Sequence, residues 1–175
     1  TAEVPATHVA GTTAKGQATL TVDGVPLQHL VDPVADATRW ARQTVERLEA
    51  VAATRVVIVG FGLGYHLEAL AERFAGAIVV VEPDVAILHA ALSARDLGSL
   101  LRRIELAVDV DDGPAKDDNT GARTLVIAHA PALLLPGGAH RRALQTWQAR
   151  AARSGLRLKV LVVSPLYGGS WPIAG

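Results

Sequence analysis

The sequence predicts a three-layer α/β sandwich with a mainly parallel sheet, preceded by a small β-hairpin and a helix. Three observations lead to it. From Thr54 onward, short runs of apolar and β-branched residues alternate with segments of helical periodicity. Right-handed crossovers between such runs bury a parallel sheet between layers of helix. A glycine-rich turn, Gly60-Phe61-Gly62-Leu63-Gly64, separates the first apolar run from the first helical segment that follows it. Half of the 175 residues are hydrophobic and 19% are charged, which provides for a sizeable core and excludes a largely disordered chain.

Residues 17–27 alternate apolar and polar positions around Asp23-Gly24, the pattern of a hairpin with a tight turn. A helix follows. Asp32 is a suitable N-cap and Pro33 suits the first helical position, where its missing N–H costs nothing. Val34, Ala37, Ala41, Val45 and Leu48 repeat at helical spacing and predict the buried face, with Arg42, Glu46 and Glu49 in water. Residues 55–59 read as a strand buried on both faces, and residues 65–74 as a helix. A second buried strand over 77–81 ends at Glu82-Pro83-Asp84. A helix over 85–94 with Asp84 as its cap comes next, then a third strand over 104–108. Residues 109–121 form an acidic, polar loop. A fourth strand over 124–128, a helix over 139–153 and a fifth strand over 158–163 complete the core, in the expected order 3-2-1-4-5. The division is 1–53 for the hairpin and cap helix, 54–164 for the α/β domain and 165–175 for the start of a following region.

Composition excludes several classes. Lys plus Arg and Asp plus Glu number 17 each, so no bulk basic field draws the chain to nucleic acid. With no Cys there is no disulfide, thiolate metal site or cysteine nucleophile. No apolar run reaches the roughly 18 residues of a membrane span. The chain has no Met and stops within a Gly/Pro segment, so a fragment of a longer, cytoplasmic protein is expected.

The glycine turn carries the functional signal. Glycine permits the tight turn and lets backbone N–H groups approach a ligand without a Cβ in the way. Glu82 follows Gly60 by 22 positions, at the end of the next strand, where an acidic side chain accepts hydrogen bonds from ribose hydroxyls. Gly60, Gly62, Gly64 and Glu82 are therefore the candidate nucleoside-binding residues. Asp109 joins them because it follows the third strand at the sheet edge where open α/β folds bind ligands. The spacing is Gly-x-Gly-x-Gly, with Tyr65 where the dinucleotide fingerprint Gly-x-Gly-x-x-Gly has its last glycine, so that fingerprint is not met. It is closer to that of S-adenosylmethionine-dependent methyltransferases. Those usually carry an acid two residues before the first glycine, and here that residue is Ile58. The ligand expected is S-adenosylmethionine or a sugar nucleotide. A plain strand-to-helix turn without a ligand is the competing reading.

Other candidates are weaker. Asp109, Asp111, Asp112, Asp117 and Asp118 read as a solvated loop rather than a metal site, since the calcium-loop pattern is not met. His129 follows the fourth strand and reads as a loop histidine without a partner. His66 opens a helix, where it bonds a ligand or caps the turn, and His89 reads as a surface residue. Trp147 shares a helix face with Leu144 and Ala151, which predicts core packing. Arg141, Arg142, Arg150 and Arg153 read as a solvated face.

Two stretches together resemble the motility accessory factor (Maf) family. They are Gly60-Phe-Gly-Leu-Gly-Tyr-His66 and Val81-Glu82-Pro83-Asp84, with Val22–His29 and Asp32-Pro33 similar to the segment before that family's domain. The resemblance implies a methyltransferase-like Rossmann domain in a bacterial protein associated with glycosylation of flagellin by nonulosonic acids. The end, Leu161–Ser170, is similar to the opening of CgeB-like glycosyltransferases, with Gly168 and Gly169 at the start of the next domain. By resemblance the intact protein is a glycosyltransferase, this chain being its N-terminal nucleotide- or nucleoside-binding domain, followed by a C-terminal domain. No catalytic residue transfers. A free-standing methyltransferase and a non-catalytic scaffold domain remain the alternatives. Trp171 and Ile173 in the tail suggest self-association, hence a homodimer.

Overall fold

The computed structural model describes residues 7–108, 123–153 and 161–163. Strands β1 (His8–Thr12), β2 (Ala18–Val22) and β3 (Val25–Pro26) form an antiparallel sheet in that order. β1 lies outside the expected hairpin, and only β2 and β3 flank the Asp-Gly turn. Asp23 and Gly24 both have positive φ, 47° and 80°, and Val22 pairs with Val25 across them. That is the conformation a two-residue hairpin loop requires.

Helix α1 (Pro33–Ala50) begins as its sequence predicts: the Asp32 side chain accepts from Ala35 N at 3.0 Å, with Pro33 in the first turn. Its buried face differs in part from the apolar repeat. Ala37, Ala41 and Leu48 face inward, but Val34 is 49% exposed. The inward stripe is completed by Trp40, Asp36 and Thr44. A helix presents one stripe to the core, and Trp40, three positions from Ala37, fills it with far more area than a valine.

The core follows as β4 (Arg55–Val59), α2 (Tyr65–Ala71), β5 (Ala77–Val81), α3 (Val85–Ala94), α4 (Gly98–Arg103), β6 (Glu105–Ala107), β7 (Thr124–His129), α5 (Ala139–Arg153) and β8 (Leu161–Val163). A 3-10 turn over Ala130–Leu134 separates β7 from α5. Helix α2 ends three residues earlier than expected, β6 is shorter at both ends, and α4 and the 3-10 turn have no counterpart in the sequence reading. The described part of the fifth strand is its last three residues.

Every pairing in the core sheet is parallel, and the strand order is β6-β5-β4-β7-β8, the expected 3-2-1-4-5. The period of two sorts the side chains. Val56, Ile58, Ile78, Val80, Leu125 and Ile127 face α1–α4 and the small sheet. Val57, Val59, Val79, Val81, Val126 and Ala128 face Ala143, Leu144 and Trp147 of α5. Trp147 is thus core, as its helical spacing predicts.

Trp40 lies at 1% exposure where α1 packs along α2. Replacing it by alanine removes the largest side chain of that interface. Trp40→Ala is expected to cost about 3–5 kcal/mol in urea unfolding, whereas Val34→Ala on the solvent side of the same helix should change stability by less than about 0.5 kcal/mol.

Candidate functional site

The glycine turn stands at the C-terminal edge of β4, between β5 and β7. Gly60, Gly62 and Gly64 have φ of 107°, 53° and 83°, all in the region that favours glycine. A Cβ on Gly60 would lie 2.9 Å from His129 Cβ and 3.0 Å from Ala132 Cβ. A Cβ on Gly64 would meet Leu97 and Leu100, each at 3.3 Å. The turn is therefore pressed against its own protein on both sides.

Three of its backbone donors are engaged as well. Gly60 N donates to Val81 O at 2.9 Å, and Gly64 N to Phe61 O at 3.0 Å. Phe61 N donates to Glu82 Oε2 at 2.8 Å. Glu82 stands at the end of β5, as the sequence places it, with its carboxylate turned inward and wholly buried. Oε1 accepts from Asp84 N at 2.9 Å and from His140 Nε2 at 2.6 Å. Both oxygens of the expected ribose acceptor are thus bonded to the protein itself. Asp84 is occupied too: Oδ1 caps α3 through Ala86 N, and Oδ2 pairs with His8 Nε2 at 3.1 Å.

Three histidines fill the crevice. His129 closes β7 and is 97% buried rather than a loop residue, because the strand runs one position longer than its apolar stretch suggests. Its ring stacks on His66 at 4.0 Å and 5°. His66 Nε2 donates to Gly60 O at 3.1 Å, and its ring meets Trp40 edge-on at 5.2 Å. Burial lowers the His66 pKa from 6.5 to about 4 and holds His129 well below 6.5, with His66 and His140 adding to the effect on His129. His89 is exposed, as expected.

Outside the turn, Arg95 joins its flank to α3. It donates to Leu63 O at 2.8 Å and to Glu68 Oε2 at 2.6 Å, and its guanidinium lies 3.8 Å over the Tyr65 ring. The Tyr65 hydroxyl donates to Ala18 O at 2.8 Å, tying the turn to the small sheet. Sequence reasoning did not single out His140, Arg95, Trp40 or Asp36. A signal existed for His140: it opens a helix directly after Gly137-Gly138 at the ligand edge of the sheet. Asp109, the acidic loop and Gly168-Gly169 lie outside the described residues. Among the described residues, no three metal-ligating side chains cluster, and no helix is long and apolar enough to cross a membrane.

The pKa directions give a testable pH dependence. A histidine whose folded pKa lies below its unfolded one contributes full stability above pH 6.5 and loses it as pH falls toward 4. For His66 alone the span to about 4 amounts to about 3 kcal/mol, and His129 acts with the same sign. Urea unfolding between pH 7 and pH 4.5 should show this loss. His66→Phe should flatten the profile by about one proton.

Comparison with solved structures shows the fold. A structure from Methanococcus maripaludis described as an S-adenosyl-L-methionine-dependent methyltransferase aligns with a TM-score of 0.51 at 20% identity, covering 72% of this chain and 55% of that one. An amino pentose methyltransferase from Micromonospora echinaspora with S-adenosylmethionine bound gives 0.46 at 24%, covering 73% and 51%. A spermidine synthase from Corynebacterium glutamicum gives 0.47 at 17%, covering 70% and 48%. The chain spans about half the length of these structures, and its sheet is a methyltransferase-like Rossmann sheet. The sequence matches no curated relative. The family model of the glycosyltransferase Maf N-terminal domain matches residues 11–108, more than half of the chain, from the small sheet through β6. The chain belongs to the family of the glycosyltransferase Maf N-terminal domain.

Proposed function

We propose that this domain is a non-catalytic structural module of a bacterial glycosyltransferase, with its Rossmann crevice filled by its own side chains. The observation that carries the reading is the Glu82 carboxylate, fully buried and shared among Phe61 N, Asp84 N and His140 Nε2. A ribose recognises such a carboxylate through free lone pairs at the crevice surface. Here a ribose has to displace His140 first, at the cost of a buried, charge-assisted contact. The packing of His129 and Ala132 against Gly60 supports the same reading, since it takes the space above the turn.

Nucleoside binding, of S-adenosylmethionine or a sugar nucleotide, is the second reading. It is favoured by three left-handed glycines between β4 and α2, with an acid at the end of β5.

Isothermal titration separates the two. With S-adenosylmethionine, S-adenosylhomocysteine and UDP- and CMP-sugars at millimolar concentration, the structural reading expects no saturable heat. Saturable binding that falls at least roughly tenfold in Glu82→Ala, in a variant still folded by circular dichroism, would replace it with the nucleoside reading. Glu82→Gln is expected to lower stability by about 3 kcal/mol, because it weakens one partner of a buried pair. A surface ribose acceptor would lose binding without that stability change.

A further inference from the structure

We propose that the cleft between the N-terminal layer and the glycine turn is a hydroxyl site, holding one water or one alcohol hydroxyl against His129 Nδ1, Gln28 and Asp36. The cleft is bounded by the loop through Leu27–His29, the first turn of α1, the start of α2 and the end of β7; it is partly open and leaves a volume of about 20 Å3. One water needs on the order of 10–15 Å3 by that kind of measure, so there is room for one such group. The inference stands independently of whether the crevice binds a nucleoside.

Three buried polar side chains from three elements line this cleft with bonding capacity unspent. His129 Nδ1 has no partner within the protein. Gln28 uses its Oε1 to accept from Leu20 N at 2.8 Å, while its Nε2 has no partner. Asp36, 6% exposed, has one contact, Arg39 Nη1 at 3.4 Å, and burial raises its pKa. Buried polar groups in native proteins are nearly always satisfied, by ordered water where the protein supplies no partner.

The donor and acceptor types select the occupant. An apolar group would leave His129 Nδ1 and Gln28 Nε2 without a partner. The Asp36 carboxylate repels an anion. A cation has no lone pair to accept from Gln28 Nε2, which only donates. A hydroxyl both donates and accepts, and it suits either tautomer of His129. A Cβ on Gly62 would crowd two of the residues that line the cleft, lying 3.3 Å from His129 Cε1 and 3.5 Å from Leu27 O.

The test is a crystal structure of the chain at about 1.5 Å, grown from salt without alcohols or polyols, with a second crystal soaked in glycerol. An oxygen-sized peak is expected within hydrogen-bond distance of His129 Nδ1 and of Gln28 Nε2 or Asp36. A peak unchanged by the soak assigns water, and a glycerol hydroxyl in its place assigns an alcohol; both uphold the site. An empty cleft, or His129 and Gln28 turned to bond protein atoms directly, overturns it. In solution, without any variant, a long-lived water should give a cross-relaxation signal to the His129 ring proton, and its absence counts against the proposal. His129→Phe keeps the ring and removes the nitrogen, so the peak should be lost while the fold is retained.

Discussion

The C-terminal edge of the sheet depends on the carboxylate of Glu82. One side chain at the end of β5 fastens the glycine turn through Phe61 N and the entry to α3 through Asp84 N. It fastens the start of α5 through His140. These three segments follow three neighbouring strands, β4, β5 and β7. Burying a carboxylate is costly unless its lone pairs are engaged by hydrogen-bond donors. Glu82 meets that requirement within the protein, and so the edge is closed. The positions of His129 against Gly60 and of His66 beneath His129 follow from the closure.

What the sequence made legible is what local physics decides. Continuous apolar runs marked β4, β5 and β7 as strands buried on both faces, and the order 3-2-1-4-5 came with the methyltransferase-like Rossmann type expected for the chain. The caps at Asp32 and Asp84 and the Asp23-Gly24 turn are short-range hydrogen-bond and φ requirements, and each is met. The site was legible in position and not in state. Glu82 stands where predicted, yet its partner His140 is 58 residues away, and no local pattern announces that pairing. Trp40 differs: helical spacing puts it on the stripe of Ala37, Ala41 and Leu48, and only its edge contact with His66 is non-local. β1 escaped because a strand with four of five residues exposed carries little apolar alternation.

A glycine-rich turn between a strand and a helix has two physical uses, and donor accounting distinguishes them. Positive φ and absent Cβ atoms serve equally to admit a phosphate or to admit neighbouring protein. The difference lies in where the N–H groups and the acid at the next strand end spend their hydrogen bonds. In this domain Gly60, Phe61 and Gly64 spend theirs on Val81, Glu82 and Phe61, and Glu82 spends its own on three protein donors. Likeness of fold to methyltransferases thus carries over the turn without carrying over a free carboxylate at the next strand end.

The N-terminal layer belongs to the same argument. Tyr65 bonds Ala18 of β2, His8 of β1 pairs with Asp84, and Leu27 of the following loop lies over Gly62. The small sheet therefore covers the edge where an open Rossmann sheet exposes its crevice. The matched family segment runs from Gly11 to Val108, joining this layer to β4, β5 and β6 in one unit. A layer held by the Tyr65–Ala18 and His8–Asp84 hydrogen bonds cannot lift away without breaking them together. The cover and the closed carboxylate reinforce each other: the cover limits water at the edge, and the low dielectric beneath it strengthens the bonds to Glu82.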